Sequence, residues 1–121
     1  MTRATIPDDV RVAVEHHIDP EEIAELALAL ANIDSPTGQE GGVGDFLEDW
    51  LADEGFEPRR VALLPDRPNI VARVPGAGGG PSLLFNSHMD TTVASDETLT
   101  TVNAADPVHH SGWREGDRLI G

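Results

Sequence analysis

The sequence has 121 residues, and its sharpest chemical feature is the triplet His88-Met89-Asp90 at the end of an apolar run. An extended backbone alternates its side chains, so His88 and Asp90 share one side and Met89 takes the other. A neutral imidazole is a good zinc ligand. A carboxylate two residues on can hydrogen-bond the other ring nitrogen, which fixes the tautomer and raises the basicity of the ring. Taken alone, such a triplet is more often a structural histidine bonded to a neighbouring aspartate. One His cannot hold zinc, which takes three or four protein ligands. The remaining histidines are His16, His17, His109 and His110. The first two read as solvated residues near a terminus. The last two follow Asp106-Pro107 in a loop, and adjacent residues rarely converge on one metal. The sequence has no Cys, which excludes a thiolate metal site, a cysteine nucleophile and a disulfide scaffold. No Ser sits in a Gly-x-Ser-x-Gly elbow, so a serine hydrolase lacks support.

The elements that must position this triplet can be read locally. Ser82-Leu83-Leu84-Phe85-Asn86-Ser87 is continuous and apolar and predicts a central strand. His88 and Asp90 then lie at its carboxyl end, where ligand groups of open α/β sheets gather. Upstream, Asp19-Pro20-Glu21-Glu22 predicts a helix start with Asp19 as cap, Pro20 at the first position and Glu22 at capping-box spacing. Ile23, Leu26, Ala27, Leu30 and Ala31 form an apolar stripe, and the helix should end near Ile33. Ser35-Pro36-Thr37-Gly38-Gln39-Glu40 reads as a turn into a second helix, with Thr37 and Glu40 at capping-box spacing. Val43, Phe46, Leu47, Trp50 and Leu51 repeat the stripe, and Gly55 is placed to stop the helix. Residues 61–64 and 69–74 read as strands about the turn Pro65-Asp66-Arg67-Pro68. The glycine-rich stretch 75–81 has no phosphate-loop ending and reads as a hairpin connection. Residues 91–112 show no period, and 113–121 suggest a hairpin about Glu115-Gly116-Asp117. The order predicts an α/β fold, with residues 1–18 as an N-terminal extension and 19–121 as the folded domain.

Charge narrows the partners. There are 22 Asp and Glu against 8 basic residues, all Arg, for a formal net charge of -14. Such a surface repels phosphate backbones and anionic membranes, so neither nucleic acid nor membrane is expected as a partner. Leu, Ile, Val and Phe total 30 of 121 residues, above the roughly one-fifth below which a chain stays disordered. Adaptation to high salt is the competing account of the acidity, because screening relieves self-repulsion. No apolar run reaches the roughly 18 residues of a bilayer span, and the first residues lack the apolar core of a signal peptide. A soluble, cytoplasmic protein is expected.

Several segments in order carry a resemblance. They are Ile33-Asp34-Ser35-Pro36-Thr37-Gly38-Gln39-Glu40, Phe46-Leu47-Glu48-Asp49-Trp50-Leu51, Gly55-Phe56, and Arg67-Pro68-Asn69-Ile70-Val71-Ala72-Arg73-Val74. Leu83-Leu84-Phe85-Asn86-Ser87-His88-Met89-Asp90-Thr91 and Gly116-Asp117-Arg118-Leu119-Ile120-Gly121 complete the set. Over about residues 20–121 the sequence resembles the N-terminal part of the dizinc amidohydrolases that include acetylornithine deacetylase, succinyl-diaminopimelate desuccinylase, carboxypeptidase G and aminoacylase. The acetylornithine deacetylase branch is the nearest by its loop and hairpin. Ser87 stands where Gly is usual and Thr92 where Val is usual.

The resemblance implies the first part of a three-layer α/β/α catalytic domain, incomplete in this chain. It implies His88 as a ligand to one metal and Asp90 as the catalytic carboxylate that orients His88. The cofactors implied are two divalent metals, zinc first, with cobalt and manganese as alternatives. The implied substrate is a small N-acyl amino acid or peptide, and the implied assembly a homodimer through a domain absent here. In the family a bridging Asp follows the stretch that ends here at Gly121. That Asp, the Glu base and the remaining ligands have no position in this sequence, so a fragment, inactive by itself, is expected. The rival reading is a self-contained, non-catalytic acidic interaction module or a pseudoenzyme remnant, since 121 residues is an ordinary domain size.

Overall fold

Asp19 does what its position demands. Its side chain accepts from the backbone N–H groups of Glu21 and Glu22, and Pro20 opens the helix at the position where its missing N–H costs nothing. In the computed structural model, which describes residues 6–91 and 112–120, this helix is the second of three. The order is α1 (Asp8–His16), α2 (Pro20–Ala31), α3 (Gly41–Asp53), β1 (Arg59–Ala62), β2 (Pro68–Val71), β3 (Trp113–Glu115) and β4 (Arg118–Ile120). The α/β class stands. Among the described residues the strands form two separate antiparallel hairpins. No helix there is long and apolar enough to cross a membrane.

α1 lies in the segment read as a mixed extension. Asp8 and Asp9 occupy its first turn and His16 its last, the polarity that suits the helix dipole. Arg11 reaches Asp8 at 3.5 Å and Glu15 at 2.9 Å along the same face. None of its residues is buried.

The small core lies between α3 and the first hairpin. Val43 is its one buried hydrophobic side chain among the described residues, 3% exposed. Beside it Gly44 lets the helix approach β2 so closely that a Cβ there would stand 2.6 Å from Pro68 Cγ. β1 and β2 pair from Arg59 opposite Val71 to Ala62 opposite Pro68. Pro68 opens its strand, the position where a missing N–H is tolerated. Arg60 ties strand to helix by an ion pair with Asp45 and a 2.9 Å bond to Glu48. Gly55 ends the α3 segment at φ +81, a conformation other residues adopt only with strain.

The second hairpin turns through Gly116 and docks on α2. The Asn32 side chain accepts from the Gly112 N–H at 3.0 Å and donates to its carbonyl at 3.3 Å. Arg114 pairs with Glu21.

Four local expectations fail. Residues 82–87 form no strand, and Leu83, Leu84 and Phe85 are 79%, 84% and 86% exposed. A central strand needs ladder partners on its edges and cover on both faces, and the described residues supply neither. For the same reason the 75–81 loop closes no hairpin. Both strands of the first hairpin start earlier than predicted, and the second is shorter: Leu63 and Leu64 fall in the turn region after β1, and 72–74 lie beyond β2. The capping box of Thr37 and Glu40 does not form. Glu40 precedes α3 without a side-chain bond to its first turn, because both side chains are engaged elsewhere. Residues 92–111, with the Asp106-Pro107 loop, and the ends at 1–5 and 121 lie outside the described residues.

Candidate functional site

The site grows from the turn that joins α2 to α3. Pro36 and Gln39 close it through a 2.8 Å bond from the Gln39 N–H to the Pro36 carbonyl. Gly38 takes φ +97 at the third position, where such a turn requires a positive value. The Gly38 N–H donates to Glu40 Oε1 at 2.9 Å, so the glutamate expected to cap the helix braces the turn instead. Arg67 lies against the same oxygen at 3.4 Å. Glu40 is 6% exposed, and its Oε2 is buried with no partner among the described residues. The Gly38 N–H is the chief reason that the Glu40 carboxyl sits below its ordinary 4.5, with burial opposing and Arg67 helping.

This turn lies alongside 88–91. Pro36 and Thr91 form a parallel bridge, and the Thr91 N–H donates to the Ser35 carbonyl at 2.7 Å. The Ser35 hydroxyl donates to the Met89 carbonyl at 2.9 Å; Ser35 is 2% exposed, the most buried residue here. The Thr37 hydroxyl donates to Asp90 Oδ2 at 2.6 Å.

His88 and Asp90 meet as their alternation predicts. His88 Nδ1 lies 3.1 Å from Asp90 Oδ1 and 2.9 Å from the Asp90 carbonyl oxygen. A carbonyl oxygen and an ionised carboxylate only accept, so Nδ1 must carry the proton. In the neutral ring Nε2 then holds the free lone pair. The Asp90 carboxyl lies below its ordinary 3.8, first through the Thr37 hydroxyl and further through His88, against partial burial. His88 itself is 83% exposed and Asp90 36%. Both line an open groove of ≈ 590 Å³ together with Glu40, Arg67, Asn69 and Asn86.

Among the described residues no three His, Cys, Asp or Glu side chains converge on one point. His16 and His17 lie at the exposed end of α1, their rings 5.8 Å apart and edge to face. His109 and His110 lie outside the described residues. Sequence spacing singled out His88 and Asp90 but assigned Thr37 and Glu40 to a helix cap. The signal that could have found their true partners is the bulk of polar side chains in one short turn, more than a single cap uses.

No family model matches the chain. Curated proteins do. A protein named probable carboxypeptidase from Talaromyces marneffei is 34% identical over 85 residues, 64% of this chain and 19% of its own length. A candidate LysW-lysine/LysW-ornithine hydrolase from Pyrococcus furiosus is 40% identical over 74 residues, 61% of this chain and 21% of its own. A succinyl-diaminopimelate desuccinylase from Methylorubrum extorquens is 41% identical over 69 residues, 54% of this chain and 17% of its own. The chain spans about a fifth of the length of these relatives. The resemblance read from its motifs is thereby borne out: over 54–64% of its length this chain is similar to proteins named carboxypeptidase, LysW-lysine hydrolase and succinyl-diaminopimelate desuccinylase.

Proposed function

We propose that this chain supplies part of the metal site of a hydrolase that cleaves the amide bond of N-acyl amino acids or peptides. The observation that carries the reading is the protonation forced on His88. Two acceptors from Asp90 face Nδ1, which leaves Nε2 as a neutral imidazole donor on an exposed ring. The donor chemistry fits a divalent metal with borderline preferences, zinc first and cobalt or manganese next. His88 would hold one such ion, and Asp90 would keep the ring in the binding tautomer and raise its basicity. Bound metal would supply the Lewis acidity that polarises a scissile carbonyl and acidifies water. The relatives named for carboxypeptidase, LysW-lysine hydrolase and desuccinylase activity support the substrate class.

One imidazole and one orienting carboxylate do not complete a site that takes three or four ligands. Purified 1–121 with added zinc is therefore expected to release no product from N-acyl amino acids or dipeptides; zinc-dependent turnover by it would overturn this reading. In the longest natural chain that carries these residues, Asp90→Asn should keep much of the metal and lose about 10- to 100-fold in rate. Unchanged rate and metal content in that variant would remove Asp90 from its role.

A further inference from the structure

We propose that Thr37 is a positioning residue for His88, acting through Asp90, so that the turn before α3 presets the imidazole for metal binding; this rests on the reading of His88 as a metal ligand. A carboxylate has two oxygens and a loosely held end torsion, and Asp90 is 36% exposed, so water competes for both oxygens. Thr37 removes that freedom by donating to Oδ2 at 2.6 Å, which leaves Oδ1 facing His88 Nδ1 at 3.1 Å. The turn can do this because its own place is fixed. The buried Ser35 holds Met89 through its hydroxyl and Thr91 through its carbonyl, one on each side of Asp90. Glu40 braces the turn from beneath through the Gly38 N–H. A ring 83% exposed has little packing to hold it, so its orientation and tautomer depend on this chain of bonds. Such support from residues that never touch the ion is how a metal ligand acquires one geometry and one protonation form.

The test is the ring nitrogen spectrum of metal-free, 15N-labelled 1–121, which reports the tautomer of His88 directly. Wild type should show the Nδ1–H form. Thr37→Val removes the hydroxyl and keeps the branched shape; the Nδ1–H fraction should fall, with only the Asp90 carbonyl left as a fixed acceptor. Thr37→Ser should restore it, and the amide signals of α2 and α3 should stay in place throughout. In the longest natural chain that carries these residues, titrated with zinc chloride, the Val variant should bind at His88 about tenfold more weakly than wild type or the Ser variant, the lower end of what lost outer partners cost. A wild-type ring in the Nε2–H form overturns the proposal without any variant. So does a Val variant with the wild-type tautomer, or a Ser variant that fails to rescue. Zinc that leaves His88 unmoved in that longer chain removes the metal reading alone, since the tautomer is measured without metal.

Discussion

At the scale of single residues, the site is a matter of which groups can only accept. Asp90 offers His88 two acceptors and receives a proton donor from Thr37. Each bond then has one direction, and the imidazole one neutral tautomer. Glu40 works the same way one step back, accepting from Gly38 so that the turn keeps its positive φ. Its carboxyl lies below the ordinary 4.5 in the folded chain. A lowered value means that the contribution of the brace is fully present above the unfolded value and is lost as pH falls through the folded one. The Gly38 amide proton shift should therefore titrate with a midpoint below 4.5; a midpoint at or above that value would deny the brace. The triplet His88-Met89-Asp90 was legible because strand alternation is a local rule. The partner of Thr37 was not, because it lies 53 residues away. At short range, capping-box spacing is indistinguishable from a hydroxyl that serves another segment.

At the scale of elements, what could be read was what the chain decides locally. Asp19 caps α2 and Gly55 closes α3 because caps and left-handed stops involve neighbours in sequence. Residues 82–87 carry the strongest strand pattern yet form none, since pairing is decided by distant partners. Likewise the stripe of α3 predicted a covered face but not how near its cover would come. That distance is set by Gly44, whose absent Cβ would lie 2.6 Å from Pro68 Cγ. Ala in a helix interior ordinarily gains up to about 1 kcal/mol over Gly. Gly44→Ala should instead destabilise the chain by about 1–3 kcal/mol, because helix and hairpin must part. Gly42→Ala is the control, its Cβ meeting only Ile33 Cγ2 at an ordinary 3.7 Å, and should show the gain. Denaturant midpoints of the two variants moving the same way would contradict this packing account.

At the scale of the molecule, the described part buries very little. Val43 is its one buried hydrophobic side chain, while Leu63, Leu83, Leu84 and Phe85 stand more than three-quarters exposed. Leu63 lines the groove that holds His88 and Asp90. An apolar run with both faces open fits a chain that spans about a fifth of the length of its relatives. The charge of -14 bears on solvent and partners and not on the reaction. The central claim is that His88 is one ligand of a metal site completed by other residues. Its most direct test is the metal content of the longest natural chain carrying this sequence, wild type against His88→Ala, by elemental analysis after purification with zinc. Two metals per wild-type chain and one in the variant are expected. Two metals retained without His88 would contradict it.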